Sequence, residues 1–137
     1  MVVVVDTSAL VAILLGEPEA DELRACIASA SARVISAANF VELGTVIAGR
    51  SGKGNGQAVL AAERLLAAAD ITIAPITADL ARRALHARIR FGKGFGHRAR
   101  LNFGDCFAYA LAVALDAPLL FIGDDFPYTD IRSALNA

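Results

Sequence analysis

A chain of 137 residues with 56 % hydrophobic and 20 % charged side chains has the balance of one compact domain rather than of a disordered or fibrous protein. A net charge of −1 gives the chain as a whole no nucleic-acid footprint. The longest clean apolar stretch beside a helix, Cys106–Leu115, falls far short of the roughly 20 residues a membrane span needs. Met1–Val5 has no basic flank and meets Asp6 at once, unlike a secretory leader, so a soluble cytoplasmic protein with no membrane contact is expected. Cys26 and Cys106 lie far apart and outside any CxxC pattern, which reads as two reduced, buried thiols with no nucleophilic role.

Taken in chain order, Val2–Val5 is a β-branched run without alternation, the pattern of a strand buried on both faces. Thr7–Leu15 reads as a helix ended by Gly16, and Pro18 opens a second helix through about Ser29. Arg33–Ser36 is a short second strand, and Asn39–Gly49 a helix that carries Glu42 in its first turn. Ser51–Gly56, with three glycines, reads as a loop; Arg50-Ser-Gly-Lys53-Gly-Asn-Gly is no P-loop, since no GK[ST] opens a helix after a strand. Gln57–Ala69 is helical, Ile71–Pro75 a third strand, and Thr77 caps a helix running to about Arg90. A basic, glycine-punctuated loop follows from Phe91 to Arg100, then a helix over about Phe103–Asp116 and a fourth strand, Leu119–Ile122.

Short apolar strands alternating with helices predict an α/β fold with a parallel sheet covered on both faces. Ligands of such sheets bind beyond the carboxyl ends of the strands, near a topological switch point. Asp6 ends the first strand, and Asp124–Asp125 end the fourth. Glu42 and Asp105 open the helices that follow strand two and precede strand four. Carboxylates gathered in this way repel one another and resist desolvation unless a cation holds them. A hard divalent ion such as Mg²⁺ fits oxygen ligands, activates water and neutralises a leaving oxygen. Taken singly, each acid has an ordinary alternative: Asp6 and Asp105 as helix caps or dipole partners, Glu42 reaching solvent, Asp124–Asp125 as a turn. The joint placement is what points to chemistry.

The residues that carry the pattern are Val-Asp6-Thr-Ser-Ala-Leu, a lone Glu42, Asn-Phe-Gly-Asp105-Cys-Phe-Ala-Tyr-Ala-Leu-Ala, and Pro-Leu-Leu-Phe-Ile-Gly-Asp124-Asp125-Phe. In order and spacing, over essentially the whole chain, they resemble a PIN-domain nuclease, above all the toxin subunit of bacterial VapBC toxin–antitoxin modules. The resemblance implies one PIN-like domain over residues 1–137, three layers (α/β/α) around a mostly parallel sheet of four to five strands. It further implies a Mg²⁺- or Mn²⁺-dependent endoribonuclease acting on structured RNA such as tRNA or ribosomal RNA. A homodimer is implied as well, and a cognate VapB-type antitoxin that inserts a segment into the active-site groove. Carried over residue by residue, Asp6 and Asp105 would be the principal metal ligands, with Glu42 supporting, and Thr7 and Ser8 would orient a water or ligand. The chain departs from the pattern at Gly123, where many relatives carry an acid or amide. Asp124 or Asp125 must fill in, and the sequence leaves that choice open. Asp130 reads as structural.

Between Arg82 and Arg100 lie seven of the thirteen Lys and Arg residues, with no acid. Arg82, Arg88, Arg90, Lys93, Arg98 and Arg100 are candidate RNA contacts, Phe91 and Phe95 candidate stacking surfaces for bases. The ordinary alternative is a solvated helix face and a loop. Two other functional classes share these residues: a DNA nuclease or phosphatase built on the same acids, and a catalytically silent PIN-like module that binds RNA or protein.

Overall fold

The computed structural model describes residues 1–51 and 55–136. A four-stranded, wholly parallel sheet lies at its centre: β1 (Val2–Val5), β2 (Ala32–Ser36), β3 (Ile71–Ala74) and β4 (Leu119–Leu120), in the order β3-β2-β1-β4. Six helices flank it: α1 (Thr7–Leu14), α2 (Ala20–Ser29), α3 (Ala37–Ser51), α4 (Asn55–Ala69), α5 (Ala78–Phe91) and α6 (Phe103–Ala114). No helix among the described residues is long and apolar enough to cross a membrane.

The unbroken valines of β1 serve both faces of the sheet. Val3 and Val5, with Ile35 and Leu120, pack beneath α1–α4; Val4 and Leu119 pack with α5 and α6. Leu10, Leu23, Ile35 and Leu43 are fully buried in the first of these cores. Truncating any one of them to alanine would cost about 2–5 kcal/mol. The three layers follow from this alternation, since each strand residue must bury its side chain against one helical layer or the other.

Boundaries shifted where backbone hydrogen bonding overrode the sequence pattern. Helix α3 begins at Ala37, two residues earlier than predicted, so Glu42 stands in its second turn, not its first. The loop expected over Ser51–Gly56 is reduced: Ser51 closes α3 and Asn55–Gly56 open α4, while 52–54, including Lys53, lie outside the described residues. Strand β4 stops at Leu120 rather than Ile122, because the Ile122 backbone N–H donates to the Ser8 hydroxyl at 3.0 Å instead of to the ladder. Beyond it a fifth strand survives only as a single parallel bridge between Leu119 and Ser133.

Strand order places the switch point between β1 and β4: the chain steps outward from β1 through β2 to β3, then returns to β1's other side. Two carboxyl ends that leave in opposite directions open a crevice there. Asp6 follows one of those strands directly, and Gly123–Asp125 lie just past the other.

Candidate active site

Two helix starts, those of α1 and α6, meet at that crevice. Asp6 caps α1, its Oδ2 accepting the Ser8 backbone N–H at 3.1 Å, while its own N–H donates to Leu120 O at 2.9 Å. Asn102 caps α6 through a reciprocal box: its Oδ1 accepts the Asp105 N–H at 2.9 Å, and Asp105 Oδ2 accepts the Asn102 N–H at 3.0 Å. Both aspartates therefore give one carboxylate oxygen to a cap, which anchors the side chain, and capping turns out to be compatible with a place in the site. Asp6 Oδ1 is buried with no hydrogen-bond partner.

The crevice is an open groove of about 600 Å³. Asp6, Glu42, Asp105 and Asp125 line it, and Asp124 does not. Gly123 precedes the two aspartates with a φ of +111°, in the region that favours glycine. Glu17 and Glu19, from the turn before α2, add negative charge to the lining, and Arg50, from the last turn of α3, adds a cation.

Burial and mutual repulsion show in the acids' protonation. Burial pushes the Asp6 carboxyl up to about 6, against the opposing pull of the Ser8 hydrogen bond and with a further push from Glu42. Asp105 is pushed up to about 7, first by burial and then by Asp6, with smaller contributions from Asp125 and Glu42. Asp6 and Asp105 are thus raised by burial and by the acids around them.

Among the described residues no three His, Cys, Asp or Glu side chains converge as a ready-made metal cage. The donor set nonetheless suits a hard cation that keeps its waters. An orphaned buried carboxylate oxygen on Asp6 and a second half-committed carboxylate on Asp105 are the one or two anionic ligands that Mg²⁺ takes.

The hydroxyls expected to orient a water or ligand have protein partners. Thr7 donates to the Asn39 carbonyl at 3.2 Å, tying α1 to α3, and Ser8 accepts from Ile122. Both line the groove while holding its walls together. Three residues of the site went unnoticed in the sequence: Asn39, whose Nδ2 donates to Glu42 Oε1 at 3.4 Å; Gly104, whose bare Cα faces the Glu42 carboxyl group; and Arg50. Only Arg50 had a sequence signal, a cation beside a glycine cluster.

The basic arm is placed elsewhere. None of Arg82, Arg88, Arg90, Lys93, Arg98 and Arg100 lines the groove. Arg88 donates to the carbonyls of Lys93 and Leu101, each at 3.1 Å. Arg90 lies 3.8 Å from Asp130 and over the Phe91 ring, and Arg98 over the Tyr128 ring. Asp130, read from the sequence as structural, also accepts from the Tyr109 hydroxyl. Phe91 is buried edge-on against His97 and Tyr109, so it offers no base a stacking surface; Phe95 remains exposed. Both cysteines are free thiols, and burial pushes Cys106 up to about 11, far from a nucleophile's range.

Residues 3–131 match the PIN domain. The chain belongs to the PIN-domain family. Within that family it groups with the VapC ribonucleases. It is 43 % identical over 130 residues to "Ribonuclease VapC" of Mycolicibacterium smegmatis, covering 95 % of this chain and 98 % of the relative. Several solved structures share the fold. Mycobacterium tuberculosis VapC20, described as a sarcin-ricin loop cleaving toxin, superposes with a TM-score of 0.72 at 22 % identity, covering 94 % of this chain and 95 % of its own. VapBC-1 from nontypeable Haemophilus influenzae gives a TM-score of 0.75 at 17 % identity, covering 97 % and 96 %.

Proposed function

We propose that this chain is a divalent-metal-dependent endoribonuclease, the toxin of a toxin–antitoxin pair, and that it hydrolyses RNA phosphodiester bonds in the groove beyond β1 and β4. One observation carries the reading: a buried, unpartnered oxygen on Asp6 in a groove shared with Asp105, Glu42 and Asp125. Asp6 and Asp105 would hold Mg²⁺ or Mn²⁺, with Glu42 and Asp125 supporting. When bound, the ion supplies an activated water and neutralises charge on the leaving oxygen. Asp6 and Asp105 hold their carboxylates by helix caps, so little reorganisation is needed when charge arrives. Glu42 and Asp125 add negative charge that draws the cation in, and Arg50 is placed to meet a phosphate of the substrate.

The substrate class is structured RNA of the tRNA or ribosomal type, on the strength of the family resemblance and of the sarcin-ricin loop cleaving relative. A VapB-type antitoxin is the inhibitory partner, supported by the VapBC assembly among the structural neighbours. A homodimer fits the exposed apolar side chains Leu85 and Ile89 on α5 and Phe103 on α6.

Cleavage of total RNA with Mg²⁺, with EDTA, and by Asp6→Asn tests the proposal. Loss of cleavage in both of the last two is expected, with Asp6→Asn falling by more than about 100-fold, beyond the range typical of an outer partner of a metal site. Undiminished cleavage by Asp6→Asn overturns the mechanism, and a wild type that cuts DNA but no RNA overturns the substrate.

A further inference from the structure

We propose that Asn39 and Gly104 are positioning residues, two jaws that hold the Glu42 carboxylate against the first turn of α6. The inference rests on the reading of the groove as a metal site and assigns the parts that shape it. Asn39 lies three residues before Glu42 on α3 and is fully buried. Its Nδ2 donates to Gly104 O at 3.1 Å and to Glu42 Oε1 at 3.4 Å, and its backbone carbonyl accepts the Thr7 hydroxyl at 3.2 Å. One residue thus joins α1, α3 and α6 where Asp6, Glu42 and Asp105 meet. Its Oδ1 is buried without a partner. A side chain serving only to fill the core would not leave a buried amide oxygen unpaired, since an apolar group of similar size fills the same space without that penalty.

Gly104 is the second jaw. A Cβ built there would lie 2.5 Å from Glu42 Oε2, 2.9 Å from its Cδ and 3.0 Å from Oε1. The three nearest atoms all belong to one carboxyl group. Residue 104 is the second residue of α6, where alanine is the better helix former. Local preference and site geometry therefore disagree at this position, and such disagreements mark functional sites. Glycine is kept for the sake of the acid it faces.

Gly104→Ala separates positioning from folding, because the added methyl group favours the helix and its nearest neighbours are all at the end of the flexible Glu42 side chain. The expected result is a thermal midpoint unchanged or raised. Mg²⁺ affinity, read by calorimetry, should weaken about tenfold or more, and RNA cleavage should fall with it. The shorter acid should then compensate: Glu42→Asp is expected to weaken Mg²⁺ binding in the wild type and to restore part of it in Gly104→Ala. Equal harm from Glu42→Asp in both backgrounds would overturn the proposal, as would wild-type Mg²⁺ affinity in Gly104→Ala. Loss of the folding transition in Gly104→Ala would overturn it too, since it would show the methyl group meeting more than Glu42. A wild type that neither binds Mg²⁺ nor cuts RNA would overturn the metal-site reading and this inference together; one that does both, beside an unaffected Gly104→Ala, overturns the positioning role alone.

Discussion

The groove beyond β1 and β4 and the arm from Arg82 to Arg100 are both charged, and they hold charge in opposite ways. In the groove, acids crowd together with a buried oxygen left unpaired and two carboxyls pushed up by burial and repulsion. In the arm, much of the charge is already spent. Arg88 binds two carbonyls, Arg90 lies near Asp130, and Lys93 N–H and Leu101 N–H tie the ends of the loop at 2.9 Å each. A run of cations pointed to the arm, and placement at strand and helix ends to the groove; the lack of a protein partner points to the groove. A charge that the protein leaves unsatisfied needs something from outside, whereas a satisfied one already has a structural purpose.

The largest expected effect follows from the groove's unsatisfied charge. Asp6 and Asp105 have ordinary values near 3.8 but stand at about 6 and about 7 in the folded protein. The native state therefore binds more protons than the unfolded chain between roughly pH 4 and pH 7. Where the native state holds the extra protons, stability falls as pH rises, so the metal-free protein should lose a few kcal/mol across that window. Chemical denaturation at a series of pH values in EDTA measures this. Asp6→Asn should flatten the curve and stabilise the metal-free protein near pH 8. Mg²⁺ should raise the wild-type midpoint at pH 8 and leave it unmoved at pH 4.5, where both acids are protonated. A stability that climbs from pH 4 to pH 7 in EDTA would show the groove to be already neutralised.

A second contrast lies within the groove's own wall. Asp125 lines it and raises Asp105, while its neighbour Asp124 does neither. Asp125→Asn should reduce RNA cleavage by about 10–100-fold, the usual cost of losing an outer partner of a metal site. Asp124→Asn should stay within about twofold, as an exposed residue away from any site does. The reverse ranking would make Asp124, not Asp125, the fourth acid.

How much of this was legible in the sequence depends on how local each cause is. The strands were readable because β-branched runs such as Val2–Val5 state their own burial. Asp6 and Asp105 were readable because a strand end and a first helical turn fix a side chain's place from a few neighbours. The choice between Asp124 and Asp125 was not, since adjacent aspartates after a strand carry the same local signal and only the fold shows which one lines the groove. Asn39 and Gly104 were hidden for a stronger reason. Their partners lie across the fold, 65 residues apart in the hydrogen bond between them, and nothing local distinguishes either from a helix residue of its type. The arm's role is not legible in the same way, because a run of arginines looks the same whether it faces RNA or its own carbonyls.

The smallest expected effects test whether the arm is structural. Arg88 and Arg82 sit on the same helix, yet only Arg88 reaches into the loop, with its two bonds to Lys93 O and Leu101 O. Removing a charged donor that serves two carbonyls should destabilise the fold by about 2 kcal/mol, so Arg88→Ala should lower the denaturant midpoint measurably. Arg82 is exposed on α5, and Arg82→Ala should change stability by less than about 0.5 kcal/mol. RNA binding at several salt concentrations, in Ca²⁺ to hold back cleavage, then separates the two roles of the arm. If Arg82 touches phosphate, its loss lowers the slope of log affinity against log salt by about one. An unchanged slope in Arg82→Ala, beside a destabilised Arg88→Ala, would assign the arm to the fold and leave the groove, with Arg50, as the place where RNA is held.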